Sequence, residues 1–267
     1  MKLWTMWHVY TLLPTLAIFA ILAVLIGRWL KNKDEKIRMI PIQVISVVLV
    51  VLEVAKQIYG VCIGYDLYWI PLHYCSLFVY LLPIFAFYRG KGKERMRSVA
   101  VVCCAALMLF LLVYPELIYG EWNIINFGKD FLSAHTVIFH NLVPFAFFLI
   151  LALKLYTPQT KKDVVASTIF FVGYSVIAGT MANVLKTNYN NFYDCSIGPI
   201  GIVQDQIVAS IGWWGQLIYV IGAGIATIVF SLISYFLFRG ICALYYLIKK
   251  KMGKGADTVP NSESVKE

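Results

Sequence analysis

The chain has 267 residues, of which 60% are hydrophobic and 14% charged. A soluble domain carries about 45–50% apolar and about 25% charged residues, so this chain has more apolar surface than its own core could hide and too little charge to coat an exterior. A soluble fold is excluded, and the net charge of +9, from 23 Lys and Arg against 14 Asp and Glu, has to be read by position before it says anything about partners.

A bilayer core of about 30 Å takes about 20 apolar residues in a helix. On that measure the chain offers seven spans, at 8–27, 39–60, 70–88, 98–114, 134–156, 164–185 and 214–238. The expected fold is therefore all-α, an integral membrane bundle of seven transmembrane helices occupying residues 1–248. The first apolar run is too long for the core of a cleavable signal peptide, its basic flank follows it, and no small-residue cleavage site stands out. It is kept as a helix. After 238, Arg239-Gly240 is expected to break the last helix, leaving Ile241 to Ile248 as an interfacial turn or a continuation out to the triple lysine, and residues 249–267, rich in Lys, Gly, Ser and mixed charge, read as a basic, disordered tail.

The basic residues alternate between the connecting segments. Arg28, Lys31, Lys33, Lys36 and Arg38 follow the first span. Arg89, Lys91, Lys93, Arg95 and Arg97 follow the third, Lys154, Lys161 and Lys162 the fifth, and six more follow the seventh. The opposite side holds only Lys2, Lys129 and Lys186. By the positive-inside rule the N-terminus is outside and the C-terminus cytoplasmic. The net charge is a topology signal with added contact to anionic head groups. The expected location is the cell membrane, crossed several times, and the expected partners are membrane lipids; the charge calls for no nucleic acid.

Ionisable groups within spans are rare and by default mark function. Glu53 and Lys56 are three apart on one helical face, with Gln57 beside them, in the outer half of the second span. His73 and Cys75 fall about one turn into the third. His135 lies at the boundary of the fifth, with His140-Asn141 about 9 Å deeper than its start. His8 sits at the outer lip of the first span, and Asn183 near the outer end of the sixth, followed by Asn188, Tyr189 and Asn190. All of these fall on one side, which points to a polar cavity opening outward or into the outer leaflet.

Each residue also has a bland reading. Glu53 and Lys56 form the kind of pair that can pin two helices. His8 and His135 are interfacial, where a structural role is favoured. His73 and Cys75 are two apart, about 200° around a helix, so they share a target only if the chain after Pro71 is irregular. Cys103, Cys104 and Cys242 read as small hydrophobes. Cys62 and Cys195 fall in outside loops and are candidates for a disulfide. No HExxH, P-loop, GxSxG or CxxC pattern is present, no ligand pair lies on one helical face for zinc, and no cofactor or metal is expected.

Two stretches resemble a known family. Pro71-Leu72-His73-Tyr74-Cys75-Ser76-Leu77 looks like the Pro-Leu-(His/Gln)-Leu-Cys signature of the bacterial YwaF-like multispanning membrane proteins. Ala178-Gly179-Thr180-Met181-Ala182-Asn183-Val184-Leu185 with Thr187-Asn188-Tyr189 resembles that family's Ala-Gly-Thr…Asn-Val…Asn-Tyr segment. His140, Glu53 and His8 also have counterparts, and the likeness runs from about residue 8 to 238. The family's Gly-x-Trp-Pro-Trp-Tyr before the last span is here Gly212-Trp213-Trp214-Gly215-Gln216, with the proline lost. The bacterial members largely lack an assigned function; a distant vertebrate relative is described as a transmembrane acyltransferase acting on ether phospholipids through a cysteine and a histidine. The resemblance implies Cys75 and His140 for those roles.

The residues permit that chemistry. Acyl transfer needs a nucleophile and a base to deprotonate it, and a thiol is activated only beside a group such as imidazole. Cys75 would be the nucleophile and His140 or His73 the base, with Asn183 or Asn141 orienting the imidazole or donating to an oxyanion. Glu53, Lys56, His8 and Tyr189 complete the supporting set. The alternative reading is a solute-binding or proton-coupled transport protein in which Glu53 and Lys56 form the coupling pair. A third is an assembly partner without chemistry.

Overall fold

The computed structural model describes residues 3–256. Among these the chain is all-helical: α1 (Met6–Trp29), α2 (Glu35–Ile63), α3 (Phe78–Phe87), α4 (Lys93–Val113), α5 (Pro115–Tyr119), α6 (Glu121–Ile125), α7 (Phe131–Ala152), α8 (Thr160–Leu185), α9 (Gly198–Ile211) and α10 (Trp213–Ala256). Six helices are long and apolar enough to cross a membrane: α1, α2, α4, α7, α8 and the Trp213–Leu244 part of α10.

Local chemistry sets several of the ends. The Asp34 carboxylate accepts from Ile37 N at 2.9 Å and caps α2, and Asp130 does the same for α7 through Ser133 N at 2.8 Å. Such a cap satisfies a backbone N–H that would otherwise lack a partner. α2 stops at Gly64, whose φ of +97° is a conformation that a Cβ disfavours.

The third expected span departs from expectation. Residues 70–88 do not form one membrane-length helix; α3 has ten residues and rises only about 15 Å. Pro71 breaks the run at its entry. It lacks an N–H and pushes the preceding residue out of the helical region, and Ile70 is accordingly extended (φ −57°, ψ 131°). Two short 3-10 turns, Leu67–Trp69 and Cys75–Leu77, flank the irregular stretch. The segment still runs antiparallel to α2. Gln57 Nε2 donates to Trp69 O at 2.8 Å, and fourteen residues earlier on α2 Gln43 Nε2 reaches Ala86 O at 3.5 Å.

Two other boundaries are corrected. α10 passes through Arg239-Gly240 without a break; a glycine within a helix costs only about 1 kcal/mol, and the Arg239 guanidinium is held by the Thr160 hydroxyl and by the Tyr235 ring at 5.8 Å. The helix continues to Ala256, so the first part of the expected tail is helical, while 257–267 lie outside the described residues. α9 was not expected at all.

The core lies along α4, which touches α3, α7, α8 and α10 and is buried without interruption from Arg97 to Leu107. Its small residues there, Ala100, Cys103, Cys104, Ala105 and Ala106, let neighbouring helices approach closely. α1 packs on α7 and α2 on α3 and α7. The α1–α7 approach is close enough that a Cβ on Gly27 would lie 2.9 Å from Ala152 O. Large apolar side chains such as Ile18, Val51, Ile169 and Val176 face outward, as a lipid-facing surface requires.

The end of the bundle that carries the basic loops is tied by buried polar groups. Arg97 donates to Glu35 Oε1 at 2.8 Å and sits over the Phe85 ring at 5.2 Å. Arg38 Nη1 donates to Leu153 O at 2.7 Å. Asp163 accepts from Ser98 Oγ at 2.5 Å, Gln159 N at 2.7 Å and the Tyr235 hydroxyl, joining α8 to α4 and α10.

Candidate functional site

At the opposite end, α2 presents Glu53, Lys56 and Gln57 at the i, i+3, i+4 spacing that puts side chains on one face. Glu53 Oε1 accepts from Lys56 Nζ at 2.8 Å and from Gln57 Nε2 at 2.7 Å. Glu53 Oε2 lies 3.7 Å from His135 Nε2 on α7, a contact too long for a hydrogen bond. Gln57 also reaches Trp69 O, and its own Oε1 accepts from the Tyr65 hydroxyl. Burial and the nearby Glu53 charge push the Tyr65 phenol up, which keeps it a donor. Glu53 is thus the hub of a clasp joining α2, α7 and the loop that enters the third segment.

His73 stands in the irregular stretch after Pro71. Its Nε2–H donates to Tyr68 O at 3.0 Å, and its ring meets the edge of Tyr189 with centroids 5.5 Å apart. Tyr189 is buried and donates to Leu67 O, while Tyr174 on α8 donates to Leu72 O at 2.9 Å. Two tyrosines from the α8 side therefore hold the chain on either side of Pro71. Cys75 follows in the second 3-10 turn, half-buried and free.

His140 is buried on α7. Its Nδ1 lies 2.7 Å from Thr136 O; a carbonyl can only accept, so Nδ1 carries the proton. Nε2 is then the basic nitrogen, and it is buried without a hydrogen-bond partner. The next residue, Asn141, donates to Val137 O at 2.8 Å. The Lys56 ammonium interacts electrostatically with Cys75, His73, His135 and His140, and His140 with His73, so these groups share one neighbourhood drawn from α2, α7 and the 70–77 stretch. The polar groups nearest the Cys75 thiol are its own backbone and Ser76, and no hydrogen bond joins Cys75 Sγ to an imidazole among the described residues.

Two expected site residues lie in other networks. His8 is fully buried: its Nδ1 accepts from Thr5 N at 3.1 Å, closing the first turn of α1, and its Nε2 lies 3.4 Å from Glu116 Oε2 on α5. Asn183 donates to Gly179 O at 2.8 Å and Phe192 O at 3.2 Å, and its Oδ1 accepts from Gln216 Nε2 at 2.9 Å. Gln216 in turn accepts from Gln204 Nε2 at 3.0 Å, and Gln204 Oε1 accepts from Cys195 N at 2.9 Å. That chain fastens the 186–197 loop and α9 onto α8 and α10. Cys62 and Cys195, the disulfide candidates, are both free.

Sequence reasoning missed Glu116, Thr136, Gln204 and Gln216. Thr136 was legible in principle, because it stands one turn before His140. The others are joined to their partners only by tertiary contact.

Long apolar helices around a buried small-residue core, with ionisable groups paired within them, define a multi-pass integral membrane protein. The chain matches the TMEM164 family over residues 3–237 and belongs to that family. This corrects the YwaF-like assignment, since TMEM164 is a different membrane family. The short segments around Cys75 and Asn183 had carried the likeness, whereas the family match extends over nearly all of the helical chain. Comparison with curated proteins and with solved structures gave no match.

Proposed function

We propose that this protein is a membrane-embedded enzyme that transfers acyl groups between lipids, with Cys75 as nucleophile and His140 as general base. With the YwaF-like likeness set aside, the reading rests on the residues. The observation that carries it is the state of His140: Nδ1–H is fixed to the Thr136 carbonyl and the basic Nε2 is buried and unpaired. A buried acceptor without a partner costs free energy, so it suits a nitrogen kept available for a proton that arrives with substrate.

In the proposed reaction, the Cys75 S–H proton passes to His140 Nε2 as the sulfur attacks the carbonyl carbon of a lipid ester. Collapse of the tetrahedral adduct breaks the C–O bond, and His140 returns the proton to the departing alcohol, leaving a Cys75 thioester. An acceptor lipid hydroxyl then gives its proton to His140 and attacks the thioester carbonyl; collapse breaks the C–S bond, and His140 returns the proton to the Cys75 sulfur. Lys56, in Coulombic reach of Cys75, offsets the negative charge that develops there. The thiol and imidazole have to close on one another when substrate enters; catalytic hydrogen bonds are often long until then.

The reading places the chain across the membrane seven times, N-terminus outside, with the 70–87 segment as the third crossing. Its antiparallel run beside α2 and the one-sided basic loops support this. An irregular stretch within a crossing is tolerated where it is buried in protein and lines a polar site, and here it bears His73 and Cys75.

The test is to incubate the purified protein with phospholipids of mixed acyl chains and seek a thioester on Cys75 by intact-protein and peptide mass spectrometry. An adduct released by hydroxylamine, absent in Cys75→Ala and formed at least about 10²-fold more slowly in His140→Gln, is the expected result. Lipid turnover unchanged in Cys75→Ala overturns the proposal.

A further inference from the structure

At the basic end, the loop between α3 and α4 and the start of α8 enclose an open cavity of about 430 Å³, within the size range of ligand pockets. Five charged side chains line it, and most of that charge is already matched. Glu94 is paired with Lys93 at 3.7 Å and with Arg97 at 3.5 Å, and Lys93 also meets Glu35 at 3.4 Å. Asp163 is 1% exposed, and its oxygens are taken by Ser98, Gln159 N and Tyr235, so it offers little negative surface to the opening.

Two cations remain. Arg95 on α4 and Lys162 on α8 come from different helices and line the same space, and neither side chain has an ion pair or hydrogen bond among the described residues. Glycines form the adjoining rim; Gly92, with φ +93°, has open space where a Cβ would stand. A cavity whose other charges are matched and whose lining includes two free cations is the complement of a phosphate-bearing anion. The cavity also lies at helix ends, among the basic loops, and basic pockets between helices on that side of a membrane hold anionic head groups.

We propose that this cavity binds a phosphate group, presented by an anionic phospholipid of the adjoining leaflet, through Arg95 and Lys162. The proposal is independent of the Cys75 chemistry. The full chain, purified into phosphatidylcholine nanodiscs, is titrated with short-chain phosphatidylglycerol and, separately, with inorganic phosphate, and bound lipid is read by native mass spectrometry. Phosphatidylglycerol is expected to bind about tenfold more weakly to Arg95→Gln/Lys162→Gln. Binding is kept in the charge-preserving Arg95→Lys/Lys162→Arg and in the control Lys31→Gln/Lys33→Gln, which removes two other charges of the same end. Competition by inorganic phosphate would assign the site to free phosphate compounds as well, and its absence would assign it to the lipid. Equal binding by the neutralised and unaltered proteins, or an equal loss in the Lys31/Lys33 control, overturns the proposal.

Discussion

Glu53 Oε2 faces His135 Nε2 at 3.7 Å across the α2–α7 interface, while the other oxygen of the same carboxylate holds Lys56 at 2.8 Å. One acid thus answers a cation on its own helix and an imidazole on the next. The arrangement keeps Lys56 withdrawn from water, with 12% of its side chain exposed, while its charge still bears on Cys75 and three histidines.

Removing one member of a buried pair strands the other, at about 3–5 kcal/mol. Glu53→Ala is therefore expected to lower stability by about 3 kcal/mol, the low end because Lys56 keeps some exposure. Glu53→Ala/Lys56→Met should recover most of the loss. Denaturant unfolding in a neutral detergent measures both. A Glu53→Ala protein of undiminished stability would show that the pair is not a clasp, and would move attention to proton coupling.

The architecture was legible where one physical quantity dominates. Apolar runs of membrane length revealed α1, α2, α4, α7, α8 and α10, because each is also the helix that the backbone must form without water. The third segment was not legible as drawn. Its composition is as apolar as the others, but Pro71 sets Ile70 extended just where the run begins, and the carbonyls of Leu67 and Leu72 are taken by Tyr189 and Tyr174, tertiary contacts to which composition is blind. The reverse error occurred at Arg239-Gly240, where a weak local penalty was set against a helix already long enough to absorb it. Within the site, helical spacing put Glu53 and Lys56 on one face and aligned their depth with His140. It could not reveal that Asn183 belongs with Gln216, since thirty-three residues and a loop separate them, nor that His8 closes its own helix terminus.

The Asn183–Gln216 bond carries a second prediction. Gln216 Nε2 is shared among Asn183 Oδ1, Phe192 O and Tyr193 O, so it acts as the knot of the 186–197 loop. Asn183→Ala and Gln216→Ala should each loosen that loop, and the double variant should do little more than either alone, since coupled residues are non-additive. Lys186 supplies a built-in reporter: it adopts a left-handed conformation (φ 50°) at the end of α8, and trypsin cleavage after it should quicken in both single variants. Cleavage at the unaltered rate in Gln216→Ala would remove the knot from the account.

Asp130 gives the clearest dependence on pH outside the membrane-spanning segments. The Ser133 hydroxyl and backbone N–H hold its carboxyl below the ordinary aspartate value. A carboxyl whose folded value is lower than its unfolded one contributes stability that is present above the unfolded value and lost as pH falls through the folded one. The start of α7 should therefore loosen as pH drops below the ordinary aspartate range, and hydrogen exchange of the amides of 131–135 should rise over that window. Asp130→Asn keeps an oxygen for the Ser133 amide and removes the titration, so its exchange should be flat across the same pH range. Asp130→Ala removes the cap at every pH, at about 1 kcal/mol. Exchange that rises equally with acid in Asp130→Asn would assign the acid sensitivity to another group.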